Sequence, residues 1–279
     1  MLEIIYRYDP GSKDTVEPRP TDAALARDRL SRGNKRFCDL VGDAEKVSHQ
    51  EIIPIDLSAL GVGASIGVAP TQSPFAAILS CSDARAPIEL IFRQGVNDLF
   101  SVRLAGNVTT IESVGSLNYA AQHLNGSVKL MVVLGHTGCG AVTAAVAAYL
   151  DPTNLPDLTN TLGLRSVVER LFVAVRIAAK GLDQVANAKD SDYRERLTNL
   201  AIVINAALAS MTLRQLLGEA IPADCRIAYG VYDIATRKVG AYERTADSAQ
   251  WHETCLAEPP LSYELLEELS FWLAQGLES

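Results

Sequence analysis

Short apolar runs recur through the middle of the chain and predict its strands. They cover residues 75–79, 99–104, 128–134 and 226–231. Each run is apolar on both faces or nearly so, which is typical of strands that are buried inside a parallel sheet.

Helical stretches separate these runs along the chain. Residues 86–93, 111–124 and 141–150 lie between predicted strands and are plausible helices. Strands that alternate with helices imply right-handed crossovers and a parallel sheet with helices on both faces. We therefore predict an α/β fold with a mostly parallel central sheet flanked by helices.

The segments outside this core predict an arm, an insertion and a tail. Residues 1–20 hold four prolines or glycines and predict an irregular arm, after which a charged surface helix begins. Residues 151–194 predict an extra helical insertion, and residues 245–279 predict a helical tail. Because the sequence shows no internal repeat, we expect residues 21–279 to form a single domain.

The helical segments carry finer predictions. Gly33-Asn34 interrupts the charged helix, and residues 162–188 predict one helix or a helical hairpin. Apolar residues at helical spacing over 197–211 predict an amphipathic helix, and a last helix is expected over 261–277. The longest apolar stretch, residues 200–211, is shorter than the roughly 20 residues that a membrane span needs.

Composition narrows the class of protein. The 25 basic and 33 acidic residues give a net charge of -8, the wrong sign for a nucleic-acid surface. The N-terminus lacks a basic segment followed by an apolar run, so we expect no secretory signal. Five cysteines over 279 residues fit thiols in a reducing compartment better than a disulfide framework. We expect a cytoplasmic protein that binds neither nucleic acid nor membranes.

Three potential metal ligands follow two of the predicted strands. Cys81 comes just after the first strand, and His136 and Cys139 follow the third in a glycine-rich segment. Sites collect at the carboxyl ends of parallel strands, so these side chains can converge. Structural zinc is closed by four ligands, whereas catalytic zinc keeps a position open. Two thiols and one imidazole therefore indicate a catalytic zinc site.

An acid and a base stand beside the first of these ligands. Asp83 and Arg85 are two residues apart, and an arginine can hold a carboxylate ionised through two parallel hydrogen bonds. Asp83 lies near enough to Cys81 in sequence to act as a fourth ligand in a closed form of the site. The pattern predicts a zinc hydrolase or lyase.

These motifs together resemble the β-class carbonic anhydrases. The similarity covers roughly residues 21–150 and 195–243, including residues 33–37, 72–75 and 230–233. The resemblance implies Zn²⁺ on the Cys81, His136 and Cys139 side chains and a catalytic dyad of Asp83 and Arg85. It also implies a substrate pocket formed by Gln72, Phe100, Ala105, Gly106 and Tyr119.

The resemblance implies a carbonate dehydratase, a lyase that hydrates carbon dioxide reversibly to bicarbonate and a proton. The nucleophile would be a hydroxide on zinc, and some pocket residues would come from a neighbouring subunit of a homodimer or higher oligomer. Two alternatives stay open. One is hydrolysis of carbon disulfide or carbonyl sulfide on the same scaffold, and the other is a non-catalytic, zinc-binding assembly protein.

The remaining cysteines are predicted to be packing or free thiols. Cys38, Cys225 and Cys255 lie in apolar or terminal contexts without ligand spacing. His252 and Cys255 repeat the His-x-x-Cys spacing, but no third ligand or glycine-rich turn accompanies them.

Overall fold

The computed structural model describes residues 2–7, 17–42, 49–60, 62, 67–154, 161–244, 249–253 and 255–276. Its largest sheet has six strands, which are β3 (Ala76–Ser80), β4 (Leu99–Arg103), β5 (Leu130–His136), β6 (Arg226–Tyr232), β7 (Val239–Arg244) and β8 (Ala249–Glu253). Their spatial order is β4-β3-β5-β6-β7-β8. The first four of these in space are parallel, β7 pairs antiparallel with β6, and β8 pairs antiparallel with β7.

The described helices are α1 (Ala23–Gly42), α2 (Ile88–Ile91), α3 (Ile111–His123), α4 (Gly140–Leu150), α5 (Leu162–Leu182), α6 (Tyr193–Leu217) and α7 (Tyr263–Gly276). The predicted α/β fold is therefore confirmed, and each predicted strand lies within two residues of its observed bounds. The helix predicted over 86–93 is only one turn long. Pro87 precedes its first residue, and the chain turns at Arg93, which has a positive φ of 51°.

Alternate side chains of the central strands enter two separate cores. Ala77 and Leu79 of β3 belong to the core that α3 to α7 cover. Ala76 and Ile78 of the same strand belong to the core on the other face, beneath α1 and α2. Both faces are thus buried, which explains why the strands are apolar throughout.

The predicted interruption of α1 is wrong, because the helix continues through Gly33 and Asn34. A Cβ at Gly33 would overlap the carbonyl oxygen of Phe92, so glycine allows α1 to approach the turn after α2. Asn34 is fully buried, and its side chain accepts from the Val239 amide and donates to the Arg237 carbonyl. Tertiary contacts therefore outweigh the low helix propensity of this pair.

The predictions for the two ends need correction. Residues 2–7 are not irregular: they form a strand, β1, that pairs in parallel with β2 (His49–Pro54). Residues 8–16 of the predicted arm lie outside the described residues. In the tail, α7 is the expected helix, but Ala249–Glu253 adds a strand to the sheet. Residues 245–248, 254 and 277–279 are also outside the described part.

Over residues 162–188 the structure has one helix rather than a hairpin, because α5 is followed by turns up to the start of α6; residues 155–160 of the insertion lie outside the described part. The prediction that α6 is amphipathic is wrong, since every residue from 200 to 211 is buried. The helix packs against β5, β6, α4, α5 and α7, so it has no solvent face over this stretch.

The estimate that the apolar stretch is too short for a membrane also needs correction. The helical segment Tyr193–Ala220 has 28 residues and is long and apolar enough to cross a membrane by length and composition alone. In this structure 78% of its most apolar window is buried, as in the core helix of a globular protein.

Candidate metal centre

The three predicted ligands meet at the carboxyl edge of the parallel sheet. Cys81 follows β3, and His136 is the last residue of β5, the strand beside it. Gly138 then turns the chain with a positive φ of 65°, and Cys139 occupies the N-cap position of α4. The neighbouring strand ends therefore bring together residues that are 55 or more positions apart, as the sequence predicted.

The donor atoms are close enough to share one ion. One ligand atom each from Cys81, His136 and Cys139 lies within 4.8 Å of the others, and the two Sγ atoms are 4.0 Å apart. All three residues are buried, with exposed fractions of 5%, 1% and 2%. Two sulfurs and one imidazole nitrogen form a donor set that zinc prefers in proteins.

The orientation of His136 fits a metal ligand. Its Nδ1 lies 3.0 Å from the Thr137 carbonyl oxygen, to which a protonated Nδ1 donates. That tautomer leaves a lone pair on Nε2, which is buried without a hydrogen-bond partner. A buried polar atom without a partner is destabilising, and a cation beside the two sulfurs would satisfy it.

The two sulfurs differ in their affinity for a proton. Contact with the Cys139 thiol lowers the pKa of Cys81, and the neighbouring His136 lowers it further by a smaller amount. The Gly106 amide also donates to the Cys81 sulfur over 3.3 Å. The same contact between the sulfurs raises the pKa of Cys139. One sulfur is thus already suited to be a thiolate, and a metal ion would displace the proton of the other.

Asp83 and Arg85 form a two-armed ion pair at the mouth of the site. Arg85 Nε donates to Asp83 Oδ1 over 3.0 Å, and Nη2 donates to Oδ2 over 2.7 Å. The Arg85 amide also donates to Oδ1 over 2.8 Å. These hydrogen bonds hold the pKa of the Asp83 carboxyl well below its usual range. Asp83 Oδ2 lies 3.8 Å from His136 Nε2, so the carboxylate borders the donor cluster.

The predicted pocket residues fall into three places. Gly106 lies beside the cluster, next to Ala105 in a short 3₁₀ turn, and contacts the Cys81 sulfur. The rings of Phe100 and Tyr119 are 6.4 Å apart, centroid to centroid, and 48% of Tyr119 is exposed. Gln72 is exposed in the segment before β3. The structure therefore brings Gly106 to the cluster and pairs the two rings with each other.

Two further residues, neither of them predicted from the sequence, support the centre. Arg103, at the end of β4, donates to the carbonyl oxygens of Cys81 over 3.1 Å and Asp83 over 2.6 Å. Asn205 of α6 donates to the Gly106 carbonyl over 2.8 Å. The signal for Asn205 is a polar residue within the apolar stretch 200–211, whereas no spacing rule connects Arg103 to the loop that it holds.

The fold and the donor cluster define an α/β protein that can bind a metal ion at the carboxyl edge of its sheet. A family model described as carbonic anhydrase matches residues 76–239. The chain is also 35% identical over 202 residues to carbonic anhydrase 2 of Mycobacterium tuberculosis. The matched region covers 72% of this chain and 86% of that relative. The chain belongs to the β-carbonic anhydrase family and so to a family of enzymes.

Other relatives carry the same family description. The chain is 34% identical over 160 residues to a carbonic anhydrase of Mycolicibacterium smegmatis, covering 57% of this chain and 72% of the relative. Among solved structures, the β-carbonic anhydrase CafA of Aspergillus fumigatus is 20% identical, with a TM-score of 0.47 and coverage of 88% of this chain and 95% of that chain. Tetrameric β-carbonic anhydrases of Sordaria macrospora align at 23% identity and a TM-score of 0.45, and the alignment covers 64% of this chain and 83% of that chain.

Proposed function

We propose that the protein catalyses the zinc-dependent, reversible hydration of carbon dioxide to bicarbonate and a proton. One observation carries this proposal: the donor atoms of Cys81, His136 and Cys139 converge within 4.8 Å in a chain of the β-carbonic anhydrase family. The ion pair of Asp83 and Arg85 at the same edge of the sheet supports it.

Cys81, His136 and Cys139 would hold the zinc ion. When bound, zinc lowers the pKa of a coordinated water and so supplies a nucleophile near neutral pH. The chain's own contribution is to keep the three donors at fixed places on rigid elements. The Gly106 amide and the Thr137 carbonyl fix one sulfur and the imidazole in orientation.

Asp83 would act as an oriented hydrogen-bond acceptor. Asp83 is a carboxylate at neutral pH, and Arg85 lowers its pKa further and holds both of its oxygens, so that it can accept a hydrogen bond from the attacking water or hydroxide in a fixed orientation. That bond would direct the oxygen lone pair toward the carbon of carbon dioxide. Both carboxylate oxygens accept from Arg85, which favours the paired form of Asp83 over its use as a fourth metal ligand.

The substrate would lie between this dyad and the pocket residues. The Gln72 amide can donate to a substrate oxygen as negative charge grows there. Phe100 and Tyr119 would provide an apolar wall, and their partial exposure is in keeping with a homodimer or higher oligomer in which subunits complete each other's pockets. Cys38, Cys81, Cys139 and Cys225 are thiols rather than members of disulfides, in keeping with a cytoplasmic setting.

The test combines metal analysis with rate measurements. Purified protein should contain about one zinc per chain, and stopped-flow assays with a pH indicator should show hydration of carbon dioxide. Carbon disulfide and carbonyl sulfide are run in parallel, with release of hydrogen sulfide as the signal. Stoichiometric zinc without hydration of carbon dioxide would disprove the proposed reaction, and hydrogen sulfide release in that case would assign the site to the sulfur substrates.

A further inference from the structure

A short turn connects the metal centre to α6, the helix whose residues 200–211 are all buried. Residues Ala105–Asn107 follow β4 as a 3₁₀ turn, and Gly106 at its centre has a left-handed backbone with φ 66° and ψ 17°. The Gly106 amide donates to the Cys81 sulfur, and the Gly106 carbonyl accepts from Asn205 of α6. The two hydrogen bonds lie on opposite sides of one Cα atom.

Asn205 lies in surroundings that disfavour a polar side chain. All residues from 200 to 211 are buried, and only 5% of Asn205 is exposed. Burying an amide is destabilising unless hydrogen bonds replace those lost to water. Its Nδ2 donates over 2.8 Å to the carbonyl of Gly106, 99 positions away in sequence. The side chain thus exchanges apolar packing for one long-range hydrogen bond to the turn.

We propose that Asn205 is a positioning residue for the metal centre, acting through Gly106 on the Cys81 sulfur. This inference rests on the metal site of the proposed function. Asn205 fixes the peptide after Gly106, and the left-handed glycine connects that peptide to the one whose N–H points at the sulfur. The Asn107 amide closes the turn by donating to the Leu104 carbonyl over 2.9 Å, and Asn205 adds a hydrogen bond at the carbonyl end of the same peptide. Because glycine adopts many backbone conformations, this second bond helps to hold the left-handed one.

Apolar packing and the backbone hydrogen bond within the turn restrain Gly106, and Asn205 adds a direct hydrogen bond to its carbonyl. A Cβ at Gly106 would lie 3.2 Å from a methyl of Leu171 and 3.3 Å from Cβ of Ala141, so the backbone sits closely against α5 and α4. These apolar contacts limit translation of the turn but set no direction for its amide. An amide that points at a thiolate stabilises the charged sulfur and tunes its donation to a metal ion.

Asn205→Leu removes the donor and keeps nearly the same volume. We expect zinc affinity, measured by competition with a chelator, to fall about 10-fold, the lower end of the range for residues that support metal ligands. In Co²⁺-loaded protein, the thiolate-to-metal charge-transfer band should shift. If the leucine variant does not fold, Asn205→Ala removes the same donor and the measurements are repeated on it.

Ser210→Ala is the matched control on the same helix. Ser210 is buried like Asn205, but its hydroxyl donates within α6, to the Ala207 carbonyl. The Ser210→Ala variant should change thermal stability without changing zinc affinity or the Co²⁺ spectrum.

The outcomes separate the two proposals. Wild-type protein that binds no zinc would overturn the proposed function and this inference together. Wild-type zinc affinity and an unchanged Co²⁺ spectrum in Asn205→Leu would overturn the inference alone.

Discussion

Arg85→Ala would remove the side chain that orients Asp83 while leaving the three predicted metal ligands in place. The variant loses both side-chain hydrogen bonds to the carboxylate and the one to the Gly138 carbonyl. It keeps the bond from the backbone amide of residue 85 to Oδ1. Asp83 would therefore remain near the site with one of its three hydrogen bonds from residue 85.

The size of the effect follows from what is lost. Without Arg85 the pKa of Asp83 returns toward the ordinary value of about 3.9, so the group is still ionised at neutral pH. The loss is then one of orientation rather than charge. We expect the hydration rate to fall about 10–100-fold, as is usual when a supporting residue is removed. The ratio of wild-type to variant rates should stay constant from about pH 6 to 9.

The assay is stopped-flow hydration with zinc content measured on the same samples. Arg85→Lys is the matched control, because lysine keeps the positive charge but cannot form the two-armed contact, and it should recover only part of the rate. Since 57% of the Arg85 side chain is exposed, the melting temperature should change little. Near wild-type hydration by Arg85→Ala would refute the dyad, and loss of zinc would show that Arg85 acts on metal binding instead.

Three further predictions concern metal binding and stability. Cys81→Ser should abolish zinc binding and lower the melting temperature, whereas Cys255→Ser should do neither; metal analysis and thermal melts decide this. Gly33→Ala should cost about 1–3 kcal/mol in urea unfolding because its Cβ would overlap a backbone carbonyl, while Gly42→Ala, in the same helix, meets no atom within 4 Å and should be nearly neutral. Burial and, after it, a carboxylate partner raise the pKa of Tyr193. The contribution of Tyr193 to the free energy of unfolding should therefore be complete below about pH 10, where the unfolded tyrosine is protonated, and decline above it. Tyr193→Phe should show a smaller alkaline decline than the wild type, because Tyr232 and Tyr242 also have raised pKa values and still contribute; an identical decline would contradict the assignment.

The parallel core was predictable because its strands are buried on both faces and so are apolar throughout. The same pattern placed Cys81 and His136 at adjacent strand ends, and the structure confirms that they converge with Cys139. β7 and β8 carry polar and charged residues, among them Arg244 and Glu253, so no apolar run marked them.

Other features depend on contacts that no local pattern encodes. α1 continues through Gly33 because the glycine faces a carbonyl from a distant turn, and local propensity alone predicts a break there. Arg103 and Asn205 act on backbone atoms 20 to 99 positions away, which become neighbours only once the sheet has formed. The domain boundaries and the roles of the pocket residues remain predictions.

The helical insertion lies inside the sheet's connectivity rather than at its end. Residue 130 pairs with residue 226, 96 positions later, whereas residue 76 pairs with residue 130, 54 positions later. The entropic cost of closing a loop grows only with the logarithm of its length, so the longer connection costs about 0.5 kcal/mol more than the shorter one. Lengthening or shortening the segment between α4 and α5 should therefore be compatible with the same sheet, and this segment offers a place to graft a reporter domain without rebuilding the core.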